Sequence, residues 1–168
     1  MNITQSELRE LLDYDQESGF FYWKKTSCPR LEIGEVAGYI THGYVKITVG
    51  GVKYYAHQLA WLYVYGEWPK GDLDHIDMDR SHNWISNLRP ATASQNAANA
   101  GLYNSNSSGI KGVAFAKRER KWKAYIRKDG NLIHLGYFAR LEDAAAARHN
   151  AAIAMQGTFA CEHQVPRA

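Results

Sequence analysis

The chain has 168 residues, of which 45% are hydrophobic and 22% are charged, and its formal net charge is +3. This composition can bury a core and is unlike that of a disordered chain, and no run of about 18 apolar residues predicts a membrane-spanning helix. The N-terminus lacks the basic start and apolar run of a signal peptide. Two cysteines, Cys28 and Cys161, are too few for a disulfide framework or a zinc knuckle. We therefore expect a cytoplasmic protein with no membrane partner.

The charge is unevenly distributed along the chain. Residues 1–100 hold nine Lys and Arg against twelve Asp and Glu, whereas residues 101–168 hold eleven against five. Eight basic residues and one acidic residue fall within residues 111–128. A basic face on one half favours a polyanion partner, most simply nucleic acid, although an ordinary solvated surface gives the same pattern.

Hydrophobic periodicity and turn residues predict the elements of the first hundred residues. Leu8, Leu11 and Leu12 lie on one side of the first predicted helix. In chain order we predict a helix over 4–13, a strand over 20–25, a hairpin over 44–56 with a Gly50-Gly51 turn, a buried helix over 57–66 and a helix over 93–100.

The last third of the sequence predicts a compact module. Residues 101–109 are rich in Asn, Ser and Gly and are predicted to be a linker. Beyond it we predict strands over 110–115, 121–128 and 132–138, an Asp129-Gly130 turn and an alanine-rich helix from Leu141 to Gln156. The expected fold class is α+β, with domains at 1–100 and 110–168 joined by that linker.

Residues 74–96 carry the pattern that is most informative about function. Asp74 stands directly before His75, and Asn87 and Asn96 follow in a loop and at a helix start. A neutral imidazole can take a proton from water, so His75 is a candidate general base. One carboxylate and one amide form an all-oxygen site that suits a single Mg²⁺ or Mn²⁺ ion. Asn87 is better placed to bridge the loop than to bind metal.

An isolated Asp-His pair is more often a turn or a surface feature than a site. The order and spacing favour a site here, because His75, Asn87 and Asn96 lie 12 and 9 residues apart across a strand, a loop, a strand and a helix.

This segment resembles the HNH nuclease motif, in particular that of the phage and intron-encoded homing endonucleases. The matching residues are Asp74, His75, Asn83, Asn87, Leu88, Arg89, Thr92 and Asn96. The resemblance implies a ββα-metal fold in which Asp74 and Asn96 hold one divalent ion, His75 is the general base and Asn87 is structural. The sequence departs from the family at His82-Asn83-Trp84, where Asp-Asn-Arg is more common. We expect His57 to be a cap or core histidine.

The strand over 121–128 alternates Trp122, Ala124 and Ile126 with Lys123, Tyr125 and Arg127. One face can pack on the alanine-rich helix while the other presents cations and a phenol, and Lys111 and His134 are expected to join it. An ordinary exposed sheet face would give the same alternation.

Residues 107–160 resemble the Apetala-type (ethylene-response-factor) DNA-binding domain, through Gly109 to Val113, Trp122, Leu135 to Phe138 and the alanine-rich helix. The resemblance implies a three-stranded sheet in the DNA major groove, with Lys111, Lys123, Arg127 and His134 as contacts. Ala114 and Ala116 stand where many members of that family carry Arg.

Together the motifs predict a metal-dependent DNA endonuclease that acts as a monomer on double-stranded DNA without a protein partner. Lys46 and Arg89 complete the predicted DNA contacts. The alternatives are a catalytically inactive DNA-binding regulator built on an HNH scaffold, and an RNA-directed or nonspecific nuclease.

Overall fold

The computed structural model describes residues 2–26, 28–102 and 106–160. The chain divides into two compact units, Met1–Ala91 and Thr92–Ala168. Both contain helices and antiparallel sheets, in agreement with the mixed class predicted from the sequence. Among the described residues, no helix has the length and apolar character needed to cross a membrane.

In its described residues, the first unit has two α-helices and three small antiparallel sheets. Its sheets pair β1 with β2, β3 with β4 and β5, and β6 with β7. The elements are α1 (Gln5–Leu11), β1 (Leu12–Tyr14), β2 (Phe21–Trp23), β3 (Tyr39–Thr41), β4 (Tyr44–Val49), β5 (Val52–Tyr55), α2 (Ala56–Tyr65), β6 (Asp72–His75), a 3₁₀ turn (Ile85–Asn87) and β7 (Leu88–Ala91).

The core of the first unit joins α1, the hairpins and α2. Leu8, Phe21, Ile47 and Leu59 are each no more than 1% exposed. Leu12 is also fully buried, but it lies in β1 rather than in α1, because the backbone becomes extended at this residue. Helix α1 therefore ends before the predicted end at residue 13. It begins with a capping box in which Thr4 and Glu7 satisfy backbone amides that the first turn leaves free.

Both predicted hairpin turns are present. Gly50 and Gly51 have φ values of 57° and 80°, and Asp129 and Gly130 have values of 49° and 80°. Two successive residues with positive φ give a turn whose twist matches that of the flanking strands, which is why the Gly-Gly and Asp-Gly pairs predict these positions.

The second unit is a three-stranded antiparallel sheet with helices at either end of its sequence. The strand order is β10-β9-β8. Its core contains Ile110, Val113, Ala124 and Ala144, with Ala145 packed against it, so two alanines of the first turns of the long helix belong to this core. The elements are α3 (Ala93–Asn99), β8 (Val113–Ala116), β9 (Lys121–Lys128), β10 (Asn131–Phe138), α4 (Leu141–Gln156) and a 3₁₀ turn (Gly157–Phe159).

Helix α3 belongs to the second unit, although we predicted that it would close the first. The Lys111 ammonium donates to the carbonyls of Ala97, Ala98 and Ala100 at the C-terminal end of α3. At the other end, the hydroxyl of Ser94 accepts from the amide of Asp129 at 2.9 Å. The division therefore falls after Ala91 rather than after residue 100. These partners are far from α3 in sequence, so local patterns did not predict them.

Part of the predicted linker is a hydrogen-bonded loop. The Asn106 carboxamide donates to the Ile110 carbonyl at 2.9 Å, and the Ser108 hydroxyl donates to the Val113 carbonyl at 2.6 Å. Polar side chains that satisfy nearby backbone groups stabilise such loops, so the composition that predicted a linker here builds a turn instead. Residues 103–105 and Cys161 lie outside the described residues.

Candidate functional site

Asp74 and His75 end strand β6, where Asp74 pairs with Arg89 and His75 with Leu88 on β7. Both are buried: Asp74 is 7% exposed and His75 is 4% exposed. The Arg89 guanidinium contacts the Oδ2 of Asp74 at 2.8 Å from Nε and at 2.7 Å from Nη2. Arg89 was predicted to contact DNA, and the structure pairs it with the candidate metal ligand, a contact that the sequence analysis did not predict.

The imidazole of His75 is oriented by Asn83, which is 2% exposed. Its Nε2 atom lies 3.3 Å from the Oδ1 of Asn83, while the Nδ2 of Asn83 donates to the Ser81 carbonyl at 2.8 Å. Because Nδ2 is the donor of the carboxamide, Oδ1 is the acceptor that faces His75. Nε2 therefore carries the proton of the neutral ring, and the lone pair lies on Nδ1.

Burial keeps His75 neutral. Desolvation lowers the pKa of His75 below its ordinary value of 6.5, and the hydrogen bond with Asn83 and the charge of Asp77 oppose this only in part. The ring of His57 meets it edge to face at 5.1 Å between centroids. Burial lowers the pKa of His57 to about 3, and His75 contributes in the same direction. A neutral imidazole at pH 7 is the form that accepts a proton.

Asn87 spans the loop between β6 and β7. Its Oδ1 accepts from the amide of Asp77 at 3.1 Å, and its Nδ2 donates to the Oδ1 of Asp77 and to the His82 carbonyl, both at 2.9 Å. Asn87 is 4% exposed. These three bonds hold the ends of the loop together directly after His75.

His82 adds a further contact within the same loop. Its Nδ1 lies 2.7 Å from the Oδ2 of Asp77, and its ring packs on Trp84 at 4.6 Å. Burial alone would raise the pKa of Asp77, but the hydrogen bonds from His82 and Asn87 outweigh it and hold that pKa below its usual value. The departure at 82–84 therefore leaves the loop internally bonded.

The two residues that the resemblance assigns to a metal ion belong to different units. Asp74 supplies a carboxylate. The Oδ1 of Asn96, on α3 of the second unit, is a buried oxygen without a hydrogen-bond partner in the part of the chain that the structure describes. Across residues 2–26, 28–102 and 106–160, no group of three or more His, Cys, Asp or Glu side chains could hold a metal ion. Carboxylate and amide oxygens are ligands typical of Mg²⁺ or Mn²⁺ rather than of zinc, so each residue offers the ligand type that the sequence predicted.

The sheet of the second unit presents cations and aromatic rings on one face. Lys123, Tyr125 and Arg127 alternate along β9 with the buried Ala124 and Ile126. On the neighbouring strand β10, His134 pairs with Tyr125 and Tyr137 pairs with Lys123. Lys111 does not share this face through its ammonium, which is bonded to α3.

A similar basic and aromatic face lies on the first unit. The Lys46 ammonium lies 4.6 Å from the centre of the Tyr55 ring, and the Arg80 guanidinium lies 4.9 Å from that of Tyr44. Of these residues, only Lys46 was predicted from the sequence to contact DNA. Strict alternation along β4 and β5 was the signal for Tyr44 and Tyr55, which share one face with Lys46, whereas no pattern indicated Arg80.

Three other residues around His75 had no role in the site assigned from the sequence, although Asn83 was among the residues that match the motif. His57 was expected to be a cap or core histidine; it is buried, and it also contacts His75. Tyr14 and Asn83 reach the site through hydrogen bonds that span 69 and 8 residues of sequence. No local pattern in the sequence gives such pairings.

Known proteins are similar to this chain over the segment that contains Asp74, His75 and Asn87. Residues 54–98 match the family model described as HNH endonuclease. Protein 3.8 of Escherichia phage T7 is 33% identical over 75 residues, which cover 44% of this chain and 62% of that protein. The chain thus spans about three fifths of the length of this curated relative. The matched family segment ends at residue 98, so the resemblance of the C-terminal sheet stays a prediction. Residues 54–98 are therefore similar to HNH endonucleases.

Proposed function

We propose that this chain is a metal-dependent endonuclease that hydrolyses phosphodiester bonds in double-stranded DNA. The observation that carries the proposal is the buried, neutral imidazole of His75, held by Asn83 and adjacent to the carboxylate of Asp74. It lies within the segment that matches the HNH endonuclease family.

In the proposed reaction, Nδ1 of His75 accepts the proton of the attacking water, because Nε2 is the donor toward Asn83. Asp74 would hold one Mg²⁺ or Mn²⁺ ion, with Asn96 as the second ligand that the resemblance implies. When bound, the ion would stabilise charge on the phosphate and on the leaving oxygen. Arg89 would keep the Asp74 carboxylate in place, and Asn87 would keep the loop closed behind His75.

The basic sheet face of the second unit would bind the DNA backbone. Lys123, Tyr125, Arg127 and His134 are the proposed contacts, and Lys46 would add a contact on the first unit. The charge distribution supports this assignment, because Lys and Arg outnumber Asp and Glu only in the C-terminal part of the sequence. Attraction to phosphates depends on such charge and weakens with salt.

The direct test is cleavage of supercoiled plasmid in Mg²⁺ or Mn²⁺, with EDTA as the metal-free control. Wild type should nick or linearise the plasmid, whereas His75→Ala should lose the activity. His149→Ala, an exposed histidine on α4, is the matched control and should cut as wild type does. Equal cleavage by His75→Ala and wild type would remove His75 from the reaction. Sequencing the ends from a random-sequence library would distinguish nicking from double-strand cleavage.

The second candidate is a DNA-binding regulator in which the HNH segment is only a scaffold. The departure at His82 and Trp84 favours it. It predicts salt-dependent DNA binding with no metal-dependent strand breaks from wild-type protein, so binding and cleavage measured on the same DNA separate the two candidates.

A further inference from the structure

We propose that the N-terminal β1–β2 hairpin positions the general base, by fixing the backbone of Asn83 so that its carboxamide orients His75. This inference rests on the proposed nuclease function. The hairpin precedes residue 54, where the segment matched to HNH endonucleases begins. Tyr14 and Gly19 are the hairpin residues that contact the backbone at Asn83 and Trp84. Both are positioning residues rather than catalytic ones.

Tyr14 holds the carbonyl of Asn83. Its hydroxyl donates to that oxygen at 2.7 Å, and the bond is buried. The Tyr14 ring is itself fixed, because it stacks on Phe21 at 4.6 Å and meets the edge of Tyr63 at 5.5 Å. A short bond from an immobilised ring defines the position of the atom that accepts it.

Gly19 brings the loop of the hairpin directly against the same segment. A Cβ atom at this position would lie 2.2 Å from the backbone nitrogen of Trp84 and 2.5 Å from the carbonyl carbon of Asn83. The glycine has a φ of +77°, and its amide donates to the Asp15 carbonyl at 2.9 Å. Only a glycine permits this approach in the observed conformation.

The two contacts converge on one residue that faces His75. The carbonyl of Asn83 is held by Tyr14, and its carboxamide is held between Ser81 and the Nε2 of His75. The carboxamide is attached to the backbone through only two rotatable bonds, so a displacement of the backbone moves Oδ1 away from the imidazole. That movement would remove the acceptor that stabilises Nε2–H, so a larger fraction of the neutral ring would carry its proton on Nδ1 and its lone pair on Nε2.

Tyr14→Phe is the sharpest test, since it removes one hydroxyl and keeps the ring. The buried carbonyl of Asn83 loses its donor, and we expect kcat for plasmid cleavage to fall about 10-fold with KM unchanged, as for other residues that orient a reactive group. Tyr63→Phe is the matched control, because its hydroxyl donates to the Oδ1 of Asp13 on the same hairpin. It should cleave as wild type does. Equal kcat for Tyr14→Phe and Tyr63→Phe would overturn the proposal.

A pair of glycine variants tests the close approach. Gly19→Ala should lower kcat well below that of Gly34→Ala. Gly34 also has a positive φ of +88°, but a Cβ there meets nothing within 4 Å. The comparison therefore separates the contact with Asn83 from the backbone strain that both alanines share. Circular dichroism of each full-length variant identifies any that does not fold, in which case Tyr14→Phe decides.

A readout without DNA distinguishes a failure of this inference from a failure of the proposed function. Nitrogen-15 NMR of the full-length protein reports which ring nitrogen of His75 is protonated. Wild type and Tyr63→Phe should show the Nε2–H form, and Tyr14→Phe should show an increased fraction of the Nδ1–H form. If wild type does not cut DNA but Tyr14→Phe shifts the tautomer, the nuclease proposal fails and the positioning contact stands. If wild type cuts DNA and neither kcat nor the tautomer changes, the positioning inference fails.

Discussion

Arg89 and Asp74 lie directly opposite each other on β7 and β6, and two nitrogens of the guanidinium contact the same carboxylate oxygen. The side chains are 17% and 8% exposed. Removing one partner of a buried ion pair leaves the other charge uncompensated, which typically costs about 3–5 kcal/mol. The ion pair therefore holds the carboxylate of Asp74, the candidate metal ligand, in place. Loss of Arg89 would leave that buried carboxylate without a compensating charge.

We expect Arg89→Met to lower the free energy of unfolding of the first unit by about 3 kcal/mol, measured by urea denaturation. Arg140→Met is the control, because Arg140 pairs with Glu142 on an exposed surface and should unfold as wild type does. If the proposed metal site is correct, Mg²⁺ should raise the Tm of Arg89→Met more than that of wild type, since the ion compensates the buried carboxylate. An equal loss in the two arginine variants would show that the buried pair contributes nothing.

His57 makes stability depend on pH. Above about pH 6.5 it is neutral in both folded and unfolded chains and contributes no pH dependence. Between 6.5 and its folded-state pKa of about 3, the unfolded chain binds a proton that the folded chain does not. Stability should therefore fall as the pH is lowered, by up to about 1.4 kcal/mol per pH unit. The lowered pKa of His75 acts in the same direction.

The measurement is urea denaturation between pH 5 and pH 7, where most carboxylates stay ionised (about pKa 4). His57→Phe should flatten the decrease in stability below pH 6.5, whereas His42→Asn, an exposed residue in the β3–β4 turn, should not. Parallel curves for wild type and His57→Phe would contradict the prediction.

Met78 has a φ of 67°, in the left-handed region that favours glycine. A non-glycine residue in that region destabilises the folded state by roughly 1–2 kcal/mol. Glycine removes this strain, but it also increases the conformational entropy of the unfolded chain, which offsets part of the stabilisation. We expect Met78→Gly to raise the free energy of unfolding by about 0.5–1 kcal/mol. Met78→Ala keeps the Cβ that causes the strain, so it should give no such increase. If both variants gain equally, the side chain beyond Cβ is responsible rather than the backbone.

Lys111 secures the C-terminal end of α3 through three carbonyl acceptors. Hydrogen bonds from a charged donor are worth about 1.5–3 kcal/mol, so Lys111→Met should destabilise the second unit by about that amount. The side-chain NMR signal of Trp122, the only tryptophan in residues 92–168, can be followed during urea denaturation separately from the four tryptophans of residues 1–91, so it reports unfolding of this unit. Lys121→Met, at an exposed position on β9, is the matched control and should leave the midpoint of urea denaturation unchanged.

Lys123 and Arg127 should each contribute one phosphate contact if the sheet face binds DNA. Replacing both with Gln should weaken binding and lower the slope of log K against log salt by about 2. The double variant Lys25→Gln/Arg140→Gln removes the same charge from other exposed positions and should change the slope less. An unchanged salt slope in Lys123→Gln/Arg127→Gln would reject this face as the docking surface. Neither double variant should affect the Mg²⁺ site proposed at Asp74.

The sequence by itself determined the local elements and the residue types of the candidate site. Gly50-Gly51 and Asp129-Gly130 define their turns because few other residues adopt positive φ in succession. The alternation along β9 separates its core face from its basic face because neighbouring side chains on a strand point in opposite directions. The order of Asp74, His75, Asn87 and Asn96 likewise predicts metal-assisted hydrolysis, which stays a proposal.

Only the tertiary structure decided the partners of these residues. Arg89 lies against Asp74, Lys111 lies on α3, and the Asn83 segment that orients His75 is held by Tyr14, which precedes it by 69 residues. Each is a hydrogen bond or ion pair whose strength depends on angles, distances and burial at the contact. Many pairings of polar residues are compatible with one sequence pattern, and the packing of the whole unit selects the one that leaves the fewest buried polar groups without a partner.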